Sequence, residues 1–250
     1  MSVLRLTQVT DLHLGPDPEF ETRGVATLGS FKAVLQQIDQ QGRGADLLLL
    51  TGDLASDCQP GAYRQLNQLL KAQDRRALWL PGNHDDVTSM TQCLPDYPRC
   101  MTFESGNWGI LMIDSCKPGE PGGELSQSQL QRVAEGLQQL AGKFVLVAMH
   151  HSPVDLHSKW LDRHRIANRQ QLHQLLSAHG NVRAVVFGHV HQQYEGDWQG
   201  IPVYAAPSSC VQFERFCDEF ALSDQPPGYR YLELHPDGRL ITTVAYLTVN

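Results

Sequence analysis

The feature that most constrains the fold is a regular alternation of short apolar runs with longer amphipathic segments. Six runs have the length and branching of buried strands, and they are Leu4–Thr10, Asp46–Thr51, Ala77–Pro81, Ile110–Asp114, Phe144–Met149 and Ala184–Phe187. Helical spacing of apolar residues lies between them, in Leu28–Gln41, Ala62–Gln73, Ser126–Leu140 and Arg169–His179. Because strands alternate with helices in this way, the sequence predicts an α/β protein.

The pattern changes toward the end of the sequence. Helical spacing stops after about residue 195, and three strand-like segments follow, Ile201–Ala205, Tyr229–Leu234 and Leu240–Leu247. The turn residues Pro236-Asp237-Gly238 separate the last two segments, and the chain is predicted to end in antiparallel strands. The Gly- and Pro-rich stretch Lys117–Gly123 is interpreted as a connection between two sheets. Since it is too short for a domain boundary, residues 1–250 are predicted to form one domain.

Composition places the chain among ordinary globular proteins. Hydrophobic residues make up 41% and charged residues 19% of its 250 positions, and no apolar stretch approaches the roughly 20 residues that span a bilayer. Met1 begins a strand-like pattern without the features of a signal peptide. The six cysteines form no CxxC pair, so free thiols and a cytoplasmic location are expected, with no membrane partner.

The net charge of −7 narrows the choice of partners. An acidic chain without a broad basic face is unsuited to coating nucleic acid, because that binding depends on neutralising phosphates. A small anionic substrate is still compatible with this charge, since bound cations invert the local field. The expected partner is therefore a small molecule and not a nucleic acid.

Polar residues cluster directly after five of the apolar runs. The clusters are Asp11 with His13, Gly52-Asp53, Gly82-Asn83-His84-Asp85, His150-His151, and Gly188-His189-Val190-His191. Ligands of open α/β sheets bind beyond the carboxyl ends of the strands. If the strands are neighbours, we expect these five clusters to converge on one place.

The side chains of these clusters are metal ligands with nitrogen and oxygen donors and no thiolate. Such donors suit Mn²⁺, Fe or Zn²⁺. The seven candidates are too many for one ion that keeps a position open for water, so two ions sharing a carboxylate fit better; they are Asp11, His13, Asp53, Asn83, His150, His189 and His191. Two such ions can clamp a phosphoryl group. Each cluster alone has an ordinary alternative as a turn or a helix cap, but all five together would require independent coincidences.

With these residues in place, the sequence resembles the calcineurin-like metallophosphoesterases, whose pattern is D-x-H, G-D, G-N-H-[DE], H and G-H-x-H. All five blocks are present between Asp11 and His191. Within that superfamily the chain looks most like the class III cyclic-nucleotide phosphodiesterases. The segments Pro207–Phe213, Cys217–Phe220 and Glu233–Gly238 extend this similarity toward the C-terminus.

The resemblance implies a four-layer α/β/β/α sandwich with two divalent metal ions at the edge between two sheets. By this resemblance Asp11, His13 and His191 hold the first ion, and Asp53 bridges both ions. The second ion is held by Asn83, His150 and His189. Fe and Mn are the metals most expected, and Zn is the alternative. Purple acid phosphatases have a metal-binding tyrosine where this chain has Ser56, which argues against a ferric tyrosinate site.

The implied activity is hydrolysis of 3′,5′-cyclic AMP to 5′-AMP by a metal-bridging hydroxide that attacks in line. His84 is predicted to hydrogen-bond the phosphate and to protonate the leaving oxygen. Asn83, His84 and His191 are the residues expected to contact substrate. The alternatives are another metal-dependent phosphodiesterase (for glycerophosphodiesters or 2′,3′-cyclic nucleotides), a phosphomonoesterase, a nuclease, and a catalytically silent scaffold.

Several residues near these blocks have more than one interpretation at this point. Asp85 either orients His84 or caps the next helix. His151 replaces His150 as a ligand, supports a metal ligand from behind, or contacts substrate. The segment that contains Ser208, Ser209, Cys210 and Phe213 also has two interpretations. Either it contacts a nucleotide, with the phenyl ring of Phe213 stacked on the base, or it is an ordinary loop packed against the core. Two histidines either line the pocket or are solvated, His157 and His164. Three arginines either bind a phosphate or are solvated, Arg163, Arg165 and Arg169.

Overall fold

The structure is a computed structural model that describes residues 2–42 and 46–248. The strands of these residues are β1 (Leu4–Val9), β2 (Glu21–Thr22), β3 (Val25–Ala26), β4 (Leu47–Thr51), β5 (Ala77–Leu80), β6 (Thr102–Ser105), β7 (Trp108–Met112), β8 (Phe144–Ala148), β9 (Val182–Phe187), β10 (Tyr194–Trp198), β11 (Ile201–Ala205), β12 (Gln212–Phe213), β13 (Leu222–Ser223), β14 (Gly228–Leu234) and β15 (Leu240–Tyr246). The helices are α1 (Thr27–Gln40), α2 (Pro60–Ala72), α3 (Val87–Cys93), α4 (Gln127–Gln139), α5 (Lys159–Asp162) and α6 (Arg169–Ala178).

Two sheets carry most of the strands. The first has the order β15-β14-β1-β4-β5, in which β1, β4 and β5 are parallel and β14 and β15 are antiparallel. The second has the order β10-β11-β9-β8-β7-β6, in which β7, β8, β9 and β11 are parallel. Each sheet therefore presents the carboxyl ends of neighbouring parallel strands at one edge.

Alternation along the strands divides their apolar side chains between two faces of each sheet. One face of each sheet packs in a shared layer that includes Leu6 and Leu49 from the first sheet and Leu146 and Val186 from the second. The outer face of the first sheet is covered by α1, α2 and α3, and that of the second by α4, α5 and α6. The predicted four-layer α/β/β/α sandwich is thus confirmed.

The helix boundaries follow from local chemistry. A capping box begins α4, because the Ser126 hydroxyl accepts from the Gln129 amide while the Gln129 side chain accepts from the Ser126 amide. Pro60 occupies the first turn of α2, where its missing N–H costs no hydrogen bond. Asp86 caps α3 by accepting from the amide of Ser89.

All six apolar runs form strands and all four periodic segments form helices, with ends that shift by one or two residues. The interpretation of Lys117–Gly123 is wrong: the chain passes between the sheets earlier, between β5 and β6, and this stretch follows β7 within the second half. The prediction that the C-terminal strands are antiparallel is only partly confirmed. Strand β11 pairs antiparallel with β10 but parallel with β9.

A fully buried arginine connects the two sheets. Arg230 on β14 donates to the carbonyl oxygens of Ala205 and Tyr194 and to the carboxylate of Glu195, all in the second sheet. Charge-assisted hydrogen bonds of this kind are stronger than neutral ones. The guanidinium therefore holds the edge of one sheet against the edge of the other.

The prediction of one domain over residues 1–250 stays a prediction, and residues 1, 43–45 and 249–250 lie outside the described residues. The shared apolar layer agrees with it, since both sheets contribute to one core. Among the helices described in 2–42 and 46–248, none has the length and apolar character needed to cross a bilayer.

Candidate metal centre

The five polar clusters lie at the carboxyl ends of five strands. β1, β4 and β5 deliver Asp11, Asp53 and Asn83 from the first sheet, while β8 and β9 deliver His150 and His189 from the second. Because these strands are parallel neighbours within each sheet, their ends share one edge of the sandwich. The side chains meet there, at the seam between the two sheets.

One half of the cluster is formed by Asp11, His13 and His191. The Nε2 atoms of His13 and His191 are 3.1 Å apart, and Asp11 Oδ1 lies 3.4 Å from His191 Nε2. The backbone amide of His189 donates to both carboxylate oxygens of Asp11, at 3.1 and 3.0 Å. This pair of hydrogen bonds fixes the carboxylate toward the histidines.

The other half is formed by Asn83, His150 and His189, next to Asp53. His150 Nε2 lies 3.2 Å from Asn83 Oδ1 and 3.4 Å from Asp53 Oδ2. The same Asp53 oxygen is 3.8 Å from His13 Nε2 in the first half. The rings of His150 and His189 are in edge contact, with centroids 5.1 Å apart. Asp53 is therefore the carboxylate that faces both halves.

Backbone carbonyls fix the orientation of two histidine rings of the cluster. The Nδ1 atom of His150 is 2.8 Å from the Thr51 oxygen, and that of His191 is 2.7 Å from the Val211 oxygen. A carbonyl only accepts, so each Nδ1 carries a proton and Nε2 is the ring nitrogen that faces the cluster. This arrangement is typical of histidines that bind metal through Nε2.

Burial and the two carboxylates set the charges of the cluster. Burial would raise the pKa of Asp53, but the neighbouring histidines outweigh it and hold that pKa well below its usual value. Burial lowers the pKa of His13 to about 4 and that of His189 well below its usual value. At neutral pH the carboxylates of the centre are thus ionised and the imidazoles of His13 and His189 are neutral, which are the forms that bind metal.

The donor set fits divalent cations on two observations. His189 Nε2 is buried and has no hydrogen-bond partner in the part of the chain that the structure describes. The Nε2 lone pair of His191 faces His13 Nε2 at 3.1 Å, and His150 Nε2 faces the side-chain oxygens of Asn83 and Asp53. Facing acceptors repel one another unless a cation or a proton lies between them. Imidazole, carboxylate and amide groups are donors suited to Zn, Fe and Mn.

Five of the seven predicted ligands have left-handed backbone conformations. The φ angles are positive at Asp11 (52°), His13 (45°), Asp53 (50°), His189 (70°) and His191 (45°). Each such residue costs of order 1 kcal/mol, and such conformations cluster at functional sites. These five residues therefore have strained backbone conformations, and the strain accompanies the convergence of their side chains on the centre.

Glycines of the motifs allow the loops to approach one another. A Cβ atom at Gly82 would lie 2.1 Å from Asp53 Oδ1, and one at Gly188 would lie 2.1 Å from Thr10 Oγ1. At Gly52 a Cβ would lie 2.4 Å from His150 Nδ1, and the φ of 95° is also unsuited to other residues. The glycines that precede Asp53, Asn83 and His189 are thus required because a larger residue would not fit.

His84 is exposed beside the cluster, with its ring 5.1 Å from that of His13. Its Nδ1 donates to the Ser56 oxygen at 2.9 Å, which leaves Nε2 as the ring nitrogen for a substrate. Its backbone amide donates to Asp53 Oδ1. Ser56, which stands where purple acid phosphatases have a tyrosine, therefore contributes a backbone carbonyl that orients His84.

Both interpretations of Asp85 are wrong. Ser56 orients His84, and Asp86 caps α3. The carboxylate of Asp85 instead accepts from the amides of Leu54, Ala55 and Gly82 and from the Tyr63 hydroxyl, at 2.9 to 3.1 Å. Burial and the nearby Asp53 raise its pKa to about 6. Asp85 therefore joins the loop that carries Asp53 to the loop that carries Asn83.

The remaining candidates divide between the centre and the core. His151 Nδ1 is hydrogen-bonded to Ser115 Oγ at 2.8 Å, and its ring lies beside that of His189. Core packing is confirmed for three buried residues of the C-terminal loop, Ser208, Ser209 and Cys210. Phe213 is partly exposed and stacks on His191.

The arginines and histidines that follow β8 lie at different distances from the centre. Asp155 lies 2.8 Å from Arg165 and 3.6 Å from Arg169, whereas Arg163 is exposed. His157 is exposed, and the ring of His164 lies 6.1 Å from that of His189. Only His164 of this group borders the centre. Ser115 and the carbonyls of Thr51 and Val211 were not predicted, because Ser115 is 36 positions from His151 and a backbone oxygen leaves no signal in a motif.

This sandwich with a histidine- and aspartate-rich centre at the seam defines a metallophosphoesterase. The calcineurin-like phosphoesterase family matches residues 4–193, and the chain belongs to this family. It is 37% identical to the 3′,5′-cyclic adenosine monophosphate phosphodiesterase CpdA of Haemophilus influenzae, over 97% of this chain and 89% of that protein. It is 32% identical to a 3′,5′-cyclic-nucleotide phosphodiesterase of a Nostoc species, over 96% and 91%.

Solved structures share the fold at low sequence identity. A dimetal phosphatase from Danio rerio has a TM-score of 0.61 and 14% identity, covering 98% of this chain and 99% of that one. A purple acid phosphatase from yellow lupin seeds has a TM-score of 0.66 and 15% identity, covering 98% of this chain and 52% of that one. The architecture is therefore shared across proteins whose sequences have diverged widely.

Proposed function

We propose that this chain is a metal-dependent phosphodiesterase that hydrolyses 3′,5′-cyclic AMP to 5′-AMP at a dinuclear centre. The observation that carries the proposal is that six residues with nitrogen and oxygen donors, from both sheets, gather around one shared carboxylate, Asp53. Similarity to proteins named cyclic AMP phosphodiesterases over nearly the whole chain supports the choice of substrate.

We assign the first ion to Asp11, His13 and His191 and the second to Asn83, His150 and His189, with Asp53 between them. The distances within each half support this division. Fe and Mn²⁺ are the proposed native metals and Zn²⁺ is the alternative, because this donor set contains no thiolate to favour a softer ion. When bound, the ions supply charge neutralisation at the phosphate and activation of a water molecule.

The protein's own side chains have three further tasks in this proposal. Asn83, His84 and His191 border the position of the phosphate and contact it. His84, protonated on Nε2, gives its proton to the ribose oxygen as the ester bond breaks. The Ser56 carbonyl holds the ring in place through Nδ1, so that the proton on Nε2 points away from the loop. The amide of His84 meanwhile keeps Asp53 oriented.

A cytoplasmic location and a small-molecule partner, with neither nucleic acid nor membrane, complete the proposal. All six cysteines are unpaired, as expected in a reducing compartment. The net charge of −7 disfavours a nuclease, since phosphate backbones bind to basic surfaces. A cyclic nucleotide carries a single phosphate, which two ions can neutralise without a basic face.

Product analysis tests the proposal directly. Protein loaded with Mn²⁺ is incubated with cyclic AMP, and nucleotides are separated by chromatography. We expect 5′-AMP from the wild type and none from Asn83→Ala. Asn67→Ala is the matched control, because that half-buried asparagine on α2 donates to Asp96 and makes no hydrogen bond to the seven proposed ligands.

Other outcomes lead to the alternatives. Cleavage of bis(p-nitrophenyl) phosphate without 5′-AMP would move the assignment to another phosphodiester, such as a glycerophosphodiester or a 2′,3′-cyclic nucleotide. Degradation of single-stranded DNA would favour a nuclease. Absence of both bound metal and activation by Mn²⁺ would favour a scaffold and overturn the proposal.

A further inference from the structure

A cluster of aromatic rings borders the metal centre and has no task in the proposed chemistry. We call Trp160, Phe213 and Phe220 the aromatic platform. Their ring centroids form a near-equilateral triangle with sides of 5.1, 5.3 and 5.3 Å, and each pair meets edge to face. Such pairs are favourable beyond the area that they bury. The platform is therefore a defined surface and not a set of independent side chains.

The platform begins at the metal centre. Phe213 lies parallel to the His191 ring at 4.0 Å, with an interplanar angle of 8°. His164 lies 6.3 Å from Trp160 and 6.1 Å from His189. Two separate paths of ring contacts thus lead from proposed ligands to the platform. A group that extends from a phosphate at the ions in this direction reaches it directly.

Two segments of the chain hold the platform in place. Trp160 lies in α5, whereas Phe213 and Phe220 lie in the segment that includes β12. The amide of Cys217 donates to Ser158 Oγ at 3.2 Å, and Lys159 forms an ion pair with Asp218. The segment is also tied to the centre, because Phe213 donates its amide to the His191 oxygen at 3.0 Å. The three rings are therefore positioned before any ligand arrives.

The exposed part of the platform is apolar ring surface. Phe220 is 46% exposed, and Trp160 and Phe213 are half-buried. The indole Nε1 of Trp160 is enclosed and has no hydrogen-bond partner among residues 2–42 and 46–248, so the tryptophan offers its ring and not its N–H. One face of Phe213 is covered by His191. Trp160 and Phe220 are consequently the rings that can receive a ligand.

We infer that the platform is the nucleobase subsite, with the base packed against Trp160 and Phe220; this inference rests on the proposed function. A cyclic nucleotide has its charged phosphate at one end and a flat heterocycle at the other. The donor cluster matches the first end and the adjoining rings match the second. The guanidinium of Arg23 lies over one face of the Phe220 ring, 5.3 Å from its centroid, and places a cation beside the platform. Stacking of a base on aromatic side chains is worth about 1–3 kcal/mol, a factor of roughly 5 to 150 in binding.

Steady-state kinetics on cyclic AMP tests this subsite with two variants, Phe220→Ala and Trp160→Leu. We expect KM for cyclic AMP to rise about tenfold in each, with kcat within about twofold of wild type. The matched control is Phe216→Ala, which removes a phenylalanine of the same segment that is 65% exposed and contacts Arg215 but none of the platform rings. Unchanged KM in both platform variants would overturn the inference.

Product inhibition separates the base from the phosphate. With bis(p-nitrophenyl) phosphate as the reporter substrate, inhibition constants are measured for 5′-AMP and for inorganic phosphate. The platform variants are expected to weaken inhibition by 5′-AMP about tenfold and to leave inhibition by phosphate unchanged. An equal weakening of both would show a disturbed metal centre and overturn the inference. Failure of the wild type to hydrolyse cyclic AMP would reject the proposed function, whereas the two inhibition constants would still decide the platform.

Discussion

The Nε2 atoms of His13 and His191 lie 3.1 Å apart although these residues come from different sheets. His191 presents a lone pair at this point, because its Nδ1 proton is held by the Val211 carbonyl. Two imidazole nitrogens this close are stable only with a proton or a cation between them. The protonation of these histidines is therefore coupled to the binding of metal at the centre.

Metal uptake by the metal-free protein is expected to release protons. Burial alone would lower the pKa of His150, but the charges of Asp53 and Asp11 outweigh burial and raise it to about 9. Below that pH the metal-free protein holds a proton that the ion must displace, so apparent affinity rises by up to about tenfold per pH unit between pH 6 and 9. Calorimetric titration with Mn²⁺ in two buffers of different ionisation enthalpy measures the protons released. Identical heats in both buffers would contradict this charge state.

His84→Ala is expected to separate good leaving groups from poor ones. Loss of a general acid costs about 10²- to 10⁴-fold when the leaving oxygen needs a proton, as a ribose oxygen does. Nitrophenolate leaves without that proton, so hydrolysis of bis(p-nitrophenyl) phosphate should fall less than about tenfold. The measurement is kcat on both substrates with the same protein sample. Equal losses on the two would rule out the acid role of His84.

Gly82→Ala is expected to disable the centre. The added Cβ would lie 2.1 Å from Asp53 Oδ1 and 2.3 Å from the Asp53 amide nitrogen, so the shared carboxylate must shift. A displacement of about 1 Å costs roughly 100-fold in activity. Metal content and kcat are measured together. Gly29→Ala is the control, because that position on α1 has only Ala26 Cβ nearby, at 3.7 Å, and alanine is the better helix former. Full activity in Gly82→Ala would show that the loops are free to move apart.

Asp85→Asn is expected to lower both stability and activity. The carboxylate accepts four hydrogen bonds, and an amide in its place would turn an N–H toward backbone donors. We expect the free energy of unfolding to fall by about 2–3 kcal/mol. Denaturant unfolding measures it, and metal content measures the effect on Asp53 and Asn83. Asp86→Asn is the neighbouring control, since asparagine caps α3 as well as aspartate does. Equal effects in the two variants would contradict the positioning role of Asp85.

The strands, the helices and the meeting of the five clusters could be predicted because they depend on local patterns. A strand whose apolar run ends in a polar cluster looks the same in either sheet, however, so the division of ligands between the sheets was not accessible. The chain crosses from one sheet to the other through α3, a helix of only seven residues that is too short for a clear periodicity. The Gly- and Pro-rich stretch therefore appeared to be the stronger candidate for the crossing.

The partners of individual side chains were beyond prediction for a different reason. Asp85 contacts Leu54 and Ala55 across 30 or more positions of sequence, and its neighbours in the motif give no sign of this. β10 was missed because its sequence Tyr194–Trp198 alternates polar and small residues at an exposed edge. Trp160 and Phe220 are likewise brought together only because α5 packs against the distant segment between β12 and β13.

The layer between the sheets has a consequence for engineering this chain. Each proposed ion takes ligands from both sheets, so the distance between the sheets sets the spacing of its donors. That distance depends on the packing of side chains such as Leu49 and Leu146, since interiors are close-packed and transmit small changes in volume. Removing methyl groups there would alter the span between His13 and His191. Core residues between the sheets thus affect the reactivity of the centre although they do not contact substrate. Selection for activity therefore acts on this core as well as on the motifs.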